Sequence, residues 1–183
     1  ERLEKVNTNL RSTLELTQEE MTKDSVTGLY NEDFLVRYLL NVFDEEKWSS
    51  FTALFVQIDD MKRINDSIGE NEGDEIISGV GKVLFQMKEE GDYLFRISGP
   101  VFVMVLPEQE AGKVEGMAED IRGAVEDDRG FIEKVTVTVA VVPVRFEDLG
   151  IMPAVVAMNQ IFGEGRSMLR LSLREGGNRV ILD

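Results

Sequence analysis

The chain has 183 residues, of which 43% are hydrophobic, and a formal net charge of −15. This length and composition suffice for one domain with a sizeable core, or for one domain with an appended helix. The charge argues against nonspecific binding to nucleic acid or to an anionic membrane, because both are polyanions. Cysteine and histidine are absent from the sequence. This excludes disulfides, thiolate metal sites, thiol nucleophiles and imidazole bases.

The sequence has no pattern of a membrane span or of a secretory leader. No apolar run approaches the ~20 residues that cross a bilayer, and no signal-peptide pattern opens the chain. The chain starts inside a helical pattern without an initiator methionine. We therefore expect a cytoplasmic piece of a longer protein, either a soluble one or the cytoplasmic part of a membrane-anchored one.

Residues 1–23 predict a helix, because they are polar and contain neither glycine nor proline. Residues recur there at alternating four- and three-residue steps, the spacing of a coiled-coil seam. The seam consists of Leu3, Asn7, Leu10, Leu14, Thr17 and Met21. A buried Asn7 would favour a two-stranded register, so we expect a homodimeric coiled coil, although three heptads alone are marginal. The alternative is an amphipathic helix folded back on its own domain.

Residues 24–183 alternate between strand and helix patterns and form the second predicted unit. The predicted strands cover 51–58, the two arms of a hairpin at 94–107, 135–142 and 179–182. The predicted helices follow Asn31 and cover 61–68, a longer stretch after a turn at 69–73, 108–127 and 147–173. This order predicts an α+β fold in which helices flank one mostly antiparallel sheet.

Six motifs, in chain order, resemble those of the GGDEF domain, the diguanylate cyclase family that condenses two GTP into cyclic di-GMP. They read DSVTGLYN at 24–31, QIDDMKRIND at 57–66, GDE at 73–75, RISGPVF at 96–102, VTVTVA at 135–140 and GGNRV at 176–180. The first departs from the family in having Glu32 after it in place of the usual arginine. Each motif alone is weak, but six at fitting spacing identify the family. The resemblance implies a nucleotide-cyclase-like fold with a ferredoxin-like core and about five strands.

The resemblance also implies that the catalytic positions have changed. In the family, two metal ions on the triphosphate are held by the first Asp of D-I-D and by the acidic third position of the signature. These positions are Gln57 and Pro100 here, and the catalytic carboxylate at the fourth signature position is replaced by Val101. Ser98 and Gly99 occupy the first two signature positions. Because Mg²⁺ needs hard anionic oxygens, we expect no metal, no catalytic residue and no enzyme.

Neighbouring residues are poor replacements for the metal ligands and the phosphate contacts of the family. Asp59 lies two residues, or roughly 6–7 Å, along the strand from Gln57, and Asp60 points the other way, so neither is a favoured metal ligand. The family's Lys and Arg positions near the last motif are Leu173 and Gly177. Arg174 is adjacent, but on a helix it projects about 100° away from residue 173.

Asn65 and Asp74 match the pair that recognises guanine in the family. An ionised Asp only accepts hydrogen bonds and suits the N1–H and N2–H₂ donors of guanine, while an Asn both donates and accepts. Both residues also have structural alternatives. Asn65 would close the turn after a short helix, and Asp74, following Gly73, would cap the next helix.

The inhibitory R-x-x-D site of product-inhibited members corresponds to residues 89–92. Asp92 is retained, but Glu89 replaces the arginine that would bind the phosphate of the cyclic dinucleotide. We therefore do not expect cyclic di-GMP to bind at this position.

Three functions remain for the chain. The favoured one is a catalytically inactive GGDEF domain that acts as a dimeric signalling or protein-interaction module behind an upstream sensor domain. The second is a guanine-nucleotide receptor that uses Asn65 and Asp74, with Mg²⁺ as a cofactor only in that case. The third is an active cyclase that uses Asp59 or Asp60. The expected partners are a second copy through residues 1–23 and a protein partner, with no nucleic acid and no direct membrane contact.

Overall fold

A computed structural model describes residues 21–45 and 48–182 of the chain. Its elements in chain order are α1 (Glu32–Asp44), β1 (Ser50–Ile58), α2 (Met61–Ile68), α3 (Glu70–Met87), β2 (Tyr93–Ser98), β3 (Val101–Pro107), α4 (Ala111–Asp127), β4 (Val137–Arg145), α5 (Phe146–Leu149), α6 (Ala154–Arg174) and β5 (Val180–Leu182). Within these ranges, no helix is long and apolar enough to cross a membrane.

The five strands form one sheet in the order β2-β3-β1-β4-β5. β1 pairs antiparallel with both β3 and β4, β2 pairs antiparallel with β3, and β5 pairs parallel with β4. The predicted α+β fold, with a mostly antiparallel five-stranded sheet flanked by helices, is therefore confirmed.

Helices cover both faces of the sheet, which explains why β1 is apolar at consecutive positions. On one face, α3 and α4 pack against β1 residues such as Val56. On the other face, α1 and α6 pack against Phe55, the preceding residue of the same strand. Adjacent strand residues point to opposite faces, so each core takes every second residue of β1. The end of β1 beyond these cores carries Gln57 and Asp59.

Two predicted boundaries, the end of the helix over 1–23 and the start of α3, differ from the structure. The predicted coiled coil lies almost wholly outside the described residues, and residues 21–23 form a turn and a bridge from Lys23 to Tyr30, so a helix over 1–23 is too long at its end. The predicted turn at 69–73 is wrong, because α3 already begins at Glu70. Gly69 turns the chain with a φ of 100°. The acidic Glu70 and Glu72 then suit the positive end of the helix dipole.

The last third of the chain also differs in its boundaries. The helix predicted at 147–173 is split into α5 and α6, because Gly150 adopts a φ of 55° and Pro153 precedes α6. β4 runs on to Arg145, through Pro143. Within the described residues, β5 pairs with residues 139–141 of β4. Pro143 lies beyond this pairing, so its missing backbone N–H costs no hydrogen bond to β5.

Two glycines of α6 provide a matched test of this packing. A Cβ on Gly165 would lie 2.4–2.6 Å from ring carbons of the buried Phe55, whereas a Cβ on the exposed Gly163 would meet nothing within 4 Å. Gly165→Ala should therefore lower the free energy of unfolding by about 1–3 kcal/mol through overpacking. Gly163→Ala should raise it by about 0.5–1 kcal/mol, because alanine favours the helix. Urea unfolding of the two variants measures both changes. Equal stabilities would contradict the described packing.

Candidate functional site

The hairpin between β2 and β3 and the end of β1 lie at the same end of the sheet. Gln57 pairs with Val101, and the backbone N–H of Ile58 donates to the carbonyl of Pro100 at 3.0 Å. At the tip, Gly99 has a φ of 49°, and its carbonyl accepts a hydrogen bond from Arg96 Nε at 3.0 Å. The structure therefore brings together Gln57 and the four signature positions Ser98, Gly99, Pro100 and Val101, of which Gly99 keeps the family's glycine.

These five residues offer little to a cation or a phosphate. Gln57 is half-buried and can present one neutral carbonyl oxygen, while Ser98 presents a hydroxyl at the exposed tip. Pro100 has neither a side-chain ligand nor a backbone N–H. Across residues 21–45 and 48–182, no group of three or more acidic side chains is arranged to hold a metal ion.

Asp59 is buried at the end of β1, and its carboxylate is fully engaged in hydrogen bonds. Its Oδ1 accepts from the hydroxyl of Thr138 at 2.7 Å. Its Oδ2 accepts from the hydroxyl of Thr136 and from the backbone N–H of Asn178, both at 2.8 Å. The neighbouring Asp60 is exposed, has a φ of 51° and makes no side-chain cap of α2. The sequence did not predict this structural role of Asp59.

Gly177, one of the two positions that correspond to phosphate-contacting residues of the family, lies beside this carboxylate. Gly177 is buried with a φ of 65°, and a Cβ there would lie 2.7 Å from Asp59 Cγ. An arginine cannot therefore replace this glycine unless the backbone moves. Arg174 is exposed at the end of α6. Arg179 forms an ion pair with Glu175, in which Arg179 Nη1 lies 2.8 Å from Glu175 Oε2.

Asn65 and Asp74 lie on adjoining elements, α2 and α3. The backbone carbonyl of Asn65 closes the turn after α2 by accepting from the N–H of Gly69 at 2.9 Å, so this structural alternative holds through the backbone. Its side-chain Oδ1 is buried and has no partner among the residues described. This oxygen lies 1.9 Å from where a Cβ of Gly73 would be. Asp74 is exposed in the second turn of α3, so the expected N-cap is wrong.

Asp92, which corresponds to the Asp of the family's inhibitory R-x-x-D site, points into the protein. Only 5% of it is exposed, and its Oδ2 accepts from the backbone N–H of Glu89 at 2.8 Å. Its Oδ1 is buried without a hydrogen-bond partner in the described part of the chain. Burial raises the pKa of Asp92. Glu89 is exposed and forms an ion pair with Lys113. At the position of the family's arginine this turn therefore carries the carboxylate of Glu89, and Asp92 is turned away from solvent.

An ion pair that the sequence did not predict joins residue 24 to the hairpin. Nη1 of Arg96 lies 2.9 Å and 3.0 Å from the two carboxylate oxygens of Asp24. Partial burial opposes the ionisation of Asp24, but hydrogen bonds from Arg96 and Thr27 outweigh it, and the pKa of Asp24 lies below its ordinary value. Both residues belong to the motifs at 24–31 and 96–102, which is the only sequence signal for the contact. The segment that enters the domain is therefore tied to the hairpin.

The sheet order, the hairpin and the helix pair α2–α3 define a nucleotide-cyclase-like α+β domain. The family model described as diguanylate cyclase, GGDEF domain, matches residues 21–142. The chain therefore belongs to the GGDEF domain family.

A curated relative is similar to part of the chain at moderate identity. Diguanylate cyclase DosC from Escherichia coli (strain K12) is 32% identical over 117 residues, which make up 61% of this chain and 25% of DosC. The chain thus spans about a quarter of the length of this relative.

Two solved structures share the fold. The coiled coil and GGDEF domain of DgcB from Caulobacter crescentus, solved in complex with c-di-GMP, matches with a TM-score of 0.84 and 24% identity over 100% of this chain and 97% of that one. Diguanylate cyclase SiaD from Pseudomonas aeruginosa, solved in complex with its activator SiaC, matches with a TM-score of 0.78 and 21% identity over 100% of this chain and 70% of that one. At these identities the likeness is one of fold.

The hydrogen bonds of Asp59 lead to a direct test. Asp59→Asn keeps one acceptor oxygen and puts an N–H₂ donor at the other, so a hydrogen bond accepted there must be reversed or lost. We expect the free energy of unfolding to fall by about 1–3 kcal/mol, because buried partners are left unsatisfied. Urea unfolding measures the loss, and Asp60→Asn, at the exposed neighbour, is the control and should change little. A stable Asp59→Asn variant would show that the three bonds do not support the fold.

Proposed function

We propose that this chain is a catalytically inactive GGDEF domain that serves as a dimeric signalling or protein-interaction module in cyclic di-GMP signalling. It acts in the cytoplasm as one part of a longer protein. The observation that carries the proposal is the pair Gln57 and Pro100, which stand at the two metal-ligand positions of the family and meet at one end of the sheet.

Loss of the metal ligands removes the main source of catalysis in this family. Phosphoryl transfer depends on bound metal ions to neutralise the charge of the phosphates, and each 1.36 kcal/mol of lost stabilisation slows a reaction about tenfold. The β1–β3 pairing, including the Ile58 to Pro100 hydrogen bond, continues to the tip. The ligands are therefore replaced within an intact hairpin.

Asp59 is a poor substitute for the missing metal ligands. Asp59 could turn toward the hairpin only by giving up hydrogen bonds to Thr136, Thr138 and Asn178. The phosphate side is also poor in cations, with Leu173 and Gly177 at the family's basic positions and a net charge of −15 on the chain. A triphosphate would be repelled by this charge in the absence of metal.

The interaction role rests on how the domain is joined to residues 1–23. The ion pair between Asp24 and Arg96 connects the end of the predicted coiled coil to the hairpin. DgcB was solved with a coiled coil, and SiaD was solved with an activator protein, which supports coil-linked and partner-bound states for domains of this fold. Light scattering at about 1 M salt, which weakens exposed ion pairs, should give a dimer for residues 1–183 and a monomer for residues 24–183. A monomer in both cases would contradict the dimer.

A cyclase assay tests the inactive state. The full chain with GTP and either Mg²⁺ or Mn²⁺ should form no cyclic di-GMP above an enzyme-free control, because no carboxylate stands at the metal positions. Product formation by the purified chain would overturn the proposal.

Restoring the carboxylates provides the matched variant. Gln57→Asp with Pro100→Asp should bind Mg²⁺ in calorimetry more tightly than the parent chain, since the two positions adjoin across β1 and the hairpin tip. A variant with Gln86→Glu and Gln160→Glu adds the same two negative charges at exposed helix positions away from this site and serves as a control for surface charge. Failure of the restored variant to bind more Mg²⁺ would mean that the hairpin no longer has the geometry of a metal site.

A guanine-nucleotide receptor is the second candidate function. Two observations favour it. The buried Oδ1 of Asn65 has no hydrogen-bond partner among the described residues and lies beside Gly73. Asp74, which follows Gly73 in the chain, has an exposed carboxylate. If the chain is a receptor, GTP or cyclic di-GMP should bind in calorimetric titration, and Asp74→Ala should weaken binding at least tenfold while Asp66→Ala leaves it unchanged. The receptor function is excluded if no nucleotide binds, or if Asp74→Ala binds as well as the parent chain.

A further inference from the structure

The exposed side of α6 carries an arginine row in an otherwise acidic chain. Arg166, Arg170 and Arg174 are exposed and four residues apart, so their Cα atoms follow one another at about 6 Å along one side of the helix. Glu164 is the sole acidic residue among residues 154–174. Arg166 pairs with Glu32 of α1 at 3.1 Å. Arg170 and Arg174 form no ion pair and no side-chain hydrogen bond with any residue in the described ranges.

The start of α3 presents the complementary charge with the same spacing. Glu70 and Asp74 are exposed and also four residues apart, and Glu75 is exposed beside them. Within residues 21–45 and 48–182, Glu70 and Asp74 have no cationic partner. Arginine pairs with a carboxylate in a bidentate geometry, so two helices with matching four-residue steps can form two such pairs in register.

The arginine row and the acidic start of α3 cannot meet within one molecule. Ile77 and Leu84 of α3 belong to the core on one face of the sheet, whereas Ile161 and Leu169 of α6 belong to the core on the other face. The two charged surfaces therefore point in opposite directions. Contact between them requires a second copy of the chain.

Exposed apolar residues extend the match to the other ends of the two helices. Phe85, near the end of α3, is 57% exposed, and Val155 and Val156, at the start of α6, are 52% and 50% exposed. In an antiparallel arrangement with Arg174 opposite Glu70, Arg170 lies opposite Asp74. Val156 then falls within about one helical turn of Phe85, because the two residues lie 18 and 15 positions from their aligned ends.

We propose that α6 of one copy packs antiparallel against α3 of a second copy, through Arg170 and Arg174 on one side and Glu70 and Asp74 on the other. The contact is heterologous, so a pair of copies retains one free arginine row and one free acidic surface, and the association grows head to tail. The occupant of the arginine row is thus a second copy of this chain. The proposal does not depend on the loss of catalysis.

Salt sets the conditions under which this contact forms. The net charge of −15 repels other copies over long distances, but at about 0.15 M salt the Debye length is about 8 Å, which shortens this repulsion. Ion pairs at contact distance are screened less. At about 1 M salt the Debye length falls to about 3 Å, and the exposed pairs weaken as well.

Sedimentation velocity of the full chain without nucleotide tests the contact. At about 0.15 M salt, the weight-average mass should rise with protein concentration beyond that of the coiled-coil dimer, and the rise should disappear at about 1 M salt. Arg170→Glu with Arg174→Glu should abolish the rise. Glu70→Arg with Asp74→Arg should also abolish it. Circular dichroism and thermal unfolding establish that each variant is folded.

A mixing experiment separates the proposed contact from a general effect of charge. Neither double variant should assemble alone, but an equimolar mixture should, because each supplies the charge that the other has lost. Arg129→Glu with Lys134→Glu makes the same change in net charge as Arg170→Glu with Arg174→Glu. Both of its positions lie outside α3 and α6, so this control should assemble like the parent chain. The proposal is overturned if the parent chain shows no concentration-dependent growth, if the control loses it too, or if the mixture stays unassembled. Any of these results would mean that the arginine row is simply a solvated face of α6.

Discussion

The carboxylate of Asp59 connects three segments that are far apart in the chain. Its partners are Thr136, Thr138 and Asn178, at separations of 77, 79 and 119 residues. A carboxylate that is 6% exposed is costly to bury unless its oxygens are satisfied, and here both oxygens accept hydrogen bonds. The same contact fixes the turn at Gly177, where a side chain would collide with Asp59. The end of β1, the start of β4 and the C-terminal turn are thereby held in one arrangement.

The hairpin that carries the changed signature depends on other groups. Arg96 donates to Asp24 and to the carbonyl of Gly99, and Pro100 accepts from the N–H of Ile58. None of these contacts uses a side chain at position 100 or 101. The side chains of Pro100 and Val101 therefore contribute no hydrogen bond to the shape of the hairpin. Under the proposed loss of catalysis, this separation accounts for a hairpin that keeps its fold while the residues at its tip change.

The sequence predicted the elements well where hydrophobic period and chain breakers agreed. β1 was predicted because its apolar residues are consecutive, and α2 was predicted at Met61–Ile68, the bounds that the structure shows. The prediction failed at the start of α3, because Gly73 resembled a turn residue. In the structure Gly73 is a packing residue against Asn65, and the turn is made by Gly69 alone. Local composition cannot distinguish a glycine required by close approach from one required by a turn.

The sequence by itself determined the family and the fold class, because motif order and residue type are properties of the chain. Tertiary structure alone decided what the remaining polar groups do. Asp59 accepts from residues of β4 and the C-terminal turn, Asp92 is turned into the protein, and Asp24 pairs with Arg96. The separation of the arginine row of α6 from the acids of α3 was likewise decided by the sheet between them. Such contacts depend on which faces of the helices and strands pack together. The local sequence around each residue carries no signal of a partner that lies far away in the chain.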